Sequence, residues 1–527
     1  MNPLPPRPVL CLVLHAHLPF VRHGDGAAFL EENWLPEAVL ECYVPLLMML
    51  DRLERDGVPG GLTFTLTPTL AAMLHDPLLQ IRTRERLDKL CELAQRECAR
   101  HAADALQPAA AHYAARFAAV RDYHAQCGGD LISRFRHHRE SGRVEILTCA
   151  ATHALLPLLS DPRAVERQIA VGVRSYREMF GEAPRGIWLP ECAYFPEAGA
   201  MLAKHGIDHT ILAAHAFLYA APRPGAGVYA PLQTPEGLTV FGRDPECSQQ
   251  VWSAAEGYPG DGAYREFYRD LGRDAPLEDV NPYLRAPGLR HDLGIKYHRV
   301  TGKCGLDQKE YYFPEAAAAR AREHARDFLA KRGAQTQRLR TELGDLLVLT
   351  APYDAELFGH WWYEGPIFLE EVLRAAARAD SPVTCATLEA ARARAKQTAA
   401  PAVSSWGDRG YFTTWLNGET DWIYPRLFAA QERMNALEDG PGGFARRVRT
   451  QAARELLLAQ ASDWPFIITT GTMADYARRR IAAHLDNFSA LADWCERPGA
   501  PEEAIRARLE ALENENNLFS AAVIGGE

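Results

Sequence analysis

Seven short apolar runs, each closed by turn residues and spaced along the first two thirds of the chain, set the strongest limit on how it can fold. They fall at residues 9–14, 62–67, 143–148, 186–189, 207–212, 238–242 and 346–350, with a last short run at 383–387. Runs of this length that do not alternate with polar residues suit a parallel sheet covered on both faces. Stretches with helical spacing separate them, at 37–55, 82–126 with a break near Pro108, 164–180 and 314–332. Strands alternating with helices predict a parallel α/β fold, and both a closed barrel and an open sheet satisfy the pattern. Beyond residue 405 the texture changes: 421–437, 444–461, 473–488 and 502–514 carry helical spacing without strand alternation.

At 527 residues the chain exceeds a single ordinary domain. The reading is a catalytic α/β domain over 1–397, a helical insertion at 76–130, and a helical domain over 398–527 that folds back over the site. An Ala-Pro-Ser run at 398–405 is the expected linker between them. The Pro- and Gly-dense stretch 220–237, with Tyr229 near its middle, reads as a lid. The segment 243–313 has weak periodicity and yields no firm elements. A net charge of −10 argues against a nucleic-acid partner or an anionic membrane and suits a neutral polymer. Eleven cysteines, an odd number without CxxC spacing, predict reduced thiols and a cytoplasmic location. The apolar run at 9–14 is too short for a signal-peptide core or a membrane span.

Two of the runs end in carboxylates. Arg185-Gly-Ile-Trp-Leu-Pro-Glu191 places Glu191 after one strand, and Ala351-Pro-Tyr-Asp354 places Asp354 at the end of another, each among Trp, Tyr and His. In a barrel, the carboxyl ends of strands hold the chemistry. Taken singly, Glu191 also reads as a cap for the helix that begins near Pro196. As a pair they fit a nucleophile and an acid working on one glycosidic bond with retention. His15 and His17, two apart after the first strand, and His153 after the third are open to two readings: a metal site completed by a carboxylate, or contacts to sugar hydroxyls.

Five ordered segments carry a resemblance: His15-Ala-His17, residues 145–153, 188–194, 351–362, and Trp415-Leu-Asn-Gly-Glu-Thr-Asp-Trp422. They resemble the five signature regions of glycoside hydrolase family 57, and the longer flanks resemble its 1,4-α-glucan branching members. The resemblance implies an incomplete (β/α)7 barrel with a helical insertion and an all-helical C-terminal domain. It further implies Glu191 as nucleophile, Asp354 as acid/base, and no metal or organic cofactor, with His15, His17 and His153 hydrogen-bonding sugar. An α-1,4-glucan such as amylose or a glycogen-type polymer is the implied substrate, and a monomer or small homo-oligomer the expected state.

By the same resemblance Trp34, Trp252, Trp406 and Trp415 line the glucan cleft, and Asp463 and Arg265 contact substrate. Thr472 replaces a glutamine common at that position, which costs a sugar hydrogen bond. Tyr229 is expected to close over the site and exclude water in favour of a sugar hydroxyl. The alternatives are an α-amylase or 4-α-glucanotransferase of the same family, a metal-dependent carbohydrate deacetylase, and a glucan-binding protein without catalysis.

Overall fold

The computed structural model describes residues 7–24, 29–253, 256–437, 443–497 and 501–525. The apolar runs form the strands β1 (Val9–Ala16), β2 (Leu62–Leu66), β3 (Val144–Cys149), β4 (Gly186–Trp188), β5 (His209–Leu212), β7 (Thr239–Gly242) and β8 (Val348–Asp354). Three shorter strands, β6 (Leu232–Gln233), β9 (Thr384–Cys385) and β10 (Gln397–Thr398), complete the sheet. Its order is β10-β6-β7-β5-β4-β3-β2-β1-β8, with β9 on β1. The seven long-run strands pair in parallel, while β6 pairs antiparallel with β7 and β10 runs parallel to β6.

A single parallel bridge between Arg243, just past β7, and Thr350 of β8 joins the two ends. It is reinforced by the Asp244 amide donating to the Thr350 carbonyl at 2.8 Å. The sheet is thus a seven-stranded barrel closed at one seam. Every residue of β1 is buried, as a strand covered on both faces requires. The helix Pro162–Phe180 crosses β3 so closely that a Cβ on Gly172 would lie 2.1 Å from the Cys149 carbonyl oxygen, which is why glycine stands there.

The insertion is an antiparallel pair of helices, Pro77–Arg100 and Gln107–Gln126, and Asp76 caps the first by accepting from the Leu79 amide at 3.0 Å. The irregular segment 243–313 sends apolar side chains such as Tyr264, Leu293 and Ile295 into the main core without a periodic stripe, and polar groups fix its turns. Buried Asp270 accepts from the amides of Gly272, Leu293 and Gly294 at 2.8, 2.8 and 3.0 Å, and the Lys296 ammonium lies 3.5 Å away.

Six helices follow residue 422, from Ile423–Ala436 to Ala521–Gly525, around a core that includes Trp464, Ile481 and Phe488. They dock on the barrel through Gln168 donating to Gln460 at 2.8 Å and the Ser462 amide donating to the His153 carbonyl at 3.0 Å. The 398–405 run, expected as a free linker, is a strap bonded to the barrel. Ala400 exchanges backbone bonds with Ala221, and Ser404 accepts from the Tyr194 amide at 2.8 Å. All eleven cysteines are free thiols.

Candidate active site

Glu191 follows β4 through Leu189 and Pro190, on a turn that holds it at φ 60° and ψ 22°. Left-handed backbone costs a non-glycine residue on the order of 1 kcal/mol and persists only where its surroundings impose it. Here the Glu191 carbonyl accepts from the Trp406 amide at 2.9 Å. His153, also left-handed at φ 59°, is pinned in the same way by Ser462. The Glu191 carboxylate accepts from the Trp406 indole N–H at 2.8 Å on one oxygen and from the Ser462 hydroxyl at 2.9 Å on the other. Burial pushes its pKa up to about 7; these two donors oppose the rise, and the charges of Asp463 and Asp354 add to it.

Asp354 is the last residue of β8 and sits in register with His15 of β1. Its pKa is likewise pushed up to about 7, first by burial and then by Glu356, against the pull of Arg243 and His17. Glu356 is a third carboxylate in the same space. It accepts from the Tyr43 hydroxyl at 2.6 Å and the His17 amide at 3.2 Å, and burial carries it to about 7 as well.

The three histidines form one stack. His17 and His153 lie 3.9 Å apart at 19° between planes, and His15 lies 4.4 Å from Trp188 at 12°. Burial, together with neighbouring histidine charge, drives His15 and His153 well below the usual histidine range, so both are neutral. For His17 burial acts in the same direction, but Asp463, 2.9 Å from Nε2, outweighs it and raises the pKa.

His17, His153 and Asp463 present ligand atoms close enough to hold a metal ion. Their donor atoms are already committed, however. His17 Nδ1 is 3.1 Å from the Thr67 hydroxyl and Nε2 is on Asp463, while His153 Nδ1 is 2.9 Å from the Ser462 hydroxyl and Nε2 is 3.0 Å from His15 Nε2. Parallel stacked rings also direct their in-plane lone pairs side by side instead of towards one point. The set fits polar contacts to a hydroxylated ligand better than a metal.

These groups open onto a cleft of about 500 Å³ lined by His15, His17, His153, Glu191, Asp354 and Glu356 on one side and by Trp34, Trp252, Trp361, Trp406 and Phe466 around it. Two profiles match the chain: glycosyl hydrolase family 57 over residues 11–402, and the C-terminal region of 1,4-α-glucan branching enzymes over 426–523. The protein belongs to glycoside hydrolase family 57.

The branching enzyme TK1436 of Thermococcus kodakarensis is 35% identical over 98% of this chain and 78% of its own length. Among solved structures, the α-amylase AmyC of Thermotoga maritima superposes with a TM-score of 0.91 at 40% identity, covering 98% of this chain and 99% of the other. The family 57 branching enzyme of Pyrococcus horikoshii gives 0.86 at 32% identity, covering 98% and 96%.

In this family 57 chain the cleft brings together ten of the residues singled out from the sequence: His15, His17, Trp34, His153, Glu191, Trp252, Asp354, Trp406, Trp415 and Asp463. They differ in what they offer a ligand. Trp252 stands on the rim, 51% exposed, whereas Trp415 is 1% exposed and serves as wall, not platform. Three other residues do not line the cleft.

Arg265 is buried in an ion pair with Glu41 at 2.7 Å, its guanidinium 4.0 Å above the Tyr363 ring, so its expected sugar contact is replaced by a structural one. Tyr229 packs half-buried between two core clusters, and the stretch around it, expected as a lid, is bonded to neighbouring backbone and side chains. Ala221 bonds Ala400, and the Gly225 amide donates to Gln397 at 3.1 Å. Thr472 is exposed with its hydroxyl 3.2 Å from that of Thr470.

Several residues of the site escaped the sequence reading, Trp361 and Phe466 of the cleft lining among them. Glu356 stands two places after Asp354 in an obvious signature segment and was findable as a further acid. Trp188 precedes Glu191 by three places and stacks on His15. Arg243, whose guanidinium lies 5.3 Å from the Trp406 ring, follows a strand, where barrel enzymes place functional groups. Ser462 carries no such signal, because only the tertiary fold brings it to Glu191.

Proposed function

We infer that the protein is a 1,4-α-glucan branching enzyme acting with retention. Asp354, protonated, donates to the leaving glycosidic oxygen while the Glu191 carboxylate attacks the anomeric carbon and forms a covalent glycosyl-enzyme. The Asp354 carboxylate then takes the proton of an acceptor 6-hydroxyl, whose oxygen displaces Glu191 to give an α-1,6 branch. In this mechanism Glu191 takes the charged role because two donors stabilise its anion, and Asp354 the protonated one. Aromatic faces on Trp34, Trp252, Trp361 and Trp406 suit stacking on sugar rings, and the neutral imidazoles suit hydrogen bonding to hydroxyls.

The observation that carries the reading is one cleft holding Glu191 and Asp354 together, in a chain whose residues 426–523 match the branching-enzyme C-terminal profile. In this reading residues 398–527 act as a helical unit that completes the cleft. Amylose incubated with the protein is expected to gain α-1,6 linkages, read by debranching and chain-length analysis, with little new reducing sugar.

A second reading, α-amylase, draws on two observations: the superposition with AmyC, and the Tyr229 loop bonded to the barrel instead of covering the site. Reducing ends accumulating without branches would decide for it.

A further inference from the structure

On the face of the barrel opposite the cleft, the helices Val44–Arg55 and Leu131–Glu140 run down to the amino ends of β2 and β3. Their last turns bring Glu54, His137 and His138 together, with one ring nitrogen of each histidine and a carboxylate oxygen all within 4.8 Å of one another. His137 Nε2 is 2.9 Å and His138 Nδ1 4.0 Å from the same oxygen, Glu54 Oε2. A tetrahedral ion with bonds of about 2.0–2.1 Å separates its ligand atoms by roughly 3.3 Å, which lies between the two distances to Glu54 Oε2.

The decisive detail is His138. Its side chain is 0% exposed, and Nδ1 has no hydrogen-bond partner although it is buried. An unpaired polar atom in such a place is costly and calls for an explanation. Its other nitrogen, Nε2, lies 2.8 Å from Asp51 Oδ1. A carboxylate on Nε2 fixes the tautomer that leaves Nδ1 with a lone pair, the same arrangement that orients histidine ligands in metal sites. Arg134 neutralises Asp51 at 2.7 Å, and Arg143 lies 3.3 Å from Oε1 of Glu54, leaving Oε2 turned to the histidines.

The geometry points to a structural site for a divalent transition metal of the zinc type, held by Glu54 Oε2, His137 and His138 Nδ1 with water in the fourth position, clamping the two helices. Two imidazoles and one carboxylate select Zn2+ or Co2+ over Ca2+ or Mg2+, which prefer oxygen. The neighbouring guanidinium groups keep the site near neutral, so affinity comes from the ligand bonds and not from excess negative charge. The inference is independent of the glucan reading, since none of these residues lines the cleft.

The test uses tag-free full-length protein stripped with chelator. Calorimetric titration with Zn2+ is expected to show one saturable site and Zn2+ a raised Tm, while Co2+ gives the visible absorption of a tetrahedral centre. His137→Ala, at a half-exposed position that tolerates it, is expected to abolish the Co2+ bands and weaken Zn2+ binding at least about tenfold, and Asp51→Asn to weaken it about tenfold through His138. Asp463→Asn is expected to leave binding unchanged. Binding that survives His137→Ala at full strength, binding lost in Asp463→Asn, or no saturable binding below millimolar metal would each overturn the site.

Discussion

Asp354 ends a seven-residue strand in register with His15, whereas Glu191 sits on a left-handed turn whose carboxylate is held by Trp406 and Ser462, residues more than two hundred places downstream. The first acid is placed by the barrel alone; the second is placed by the barrel together with the strap and the helices after it. Their environments diverge accordingly. Both are buried, but only Glu191 receives two donors that favour its charged form, while Asp354 faces Glu356, which favours the neutral one. Both are pushed up to about 7, so in the proposed mechanism the two donors on Glu191 and the neighbouring Glu356 on Asp354 mark the first as nucleophile and the second as acid.

The largest test breaks the pair. Glu191→Ala and Asp354→Ala are each expected to lower transfer from amylose by at least about a thousandfold. Azide then separates the roles. Entering the space vacated at 191, it yields a glycosyl azide of inverted configuration; attacking the glycosyl-enzyme formed in the 354 variant, it yields a retained one. NMR of the products reads the difference, and the same configuration from both variants would end the assignment.

A smaller effect is expected where Glu191 meets its distant partners. Trp406→Phe and Ser462→Ala each remove a donor to the anion, so the Glu191 pKa rises. The acid limb of the kcat/KM profile moves to higher pH, with a loss of about tenfold at neutrality. A uniform loss with an unmoved limb would mean that these residues only support the fold.

The smallest effect is on stability. The Asp354 carboxyl titrates near 7 when folded, above its unfolded value of about 4, so the folded chain binds that proton more tightly. Its contribution is full below pH ~4 and is lost as pH rises through 7. Asp354→Asn is therefore expected to stabilise the protein at pH 8 by on the order of 2 kcal/mol and to bring no gain at pH 4, as read by thermal melts. Glu191→Gln, which spoils a fitted pair of hydrogen bonds, is expected to gain less.

Legible as runs and spacing were the parallel strands: β1, β4 and β8 are short apolar stretches whose burial is a local property, Glu191 comes shortly after β4, and Asp354 ends β8. Illegible were the features set by distant contacts. Asp270 and Lys296 organise 243–313 through buried charge, which leaves no periodic trace. Arg265 and Tyr229 look like site residues in a linear reading, but Glu41 claims the first and core packing the second. The 398–405 run has a linker's composition although Ala399, Ser404 and Ser405 are buried. Its backbone bonds to Ala221 and Tyr194 are indifferent to side-chain type.

Arg243 has the last word on how this barrel behaves mechanically. It forms the lone bridge that shuts the ring of strands, and the same residue turns its positive charge towards Asp354 and the Trp406 face. One residue thus lends its backbone to the joint of the cylinder and its side chain to the charge that opposes the effect of burial on Asp354.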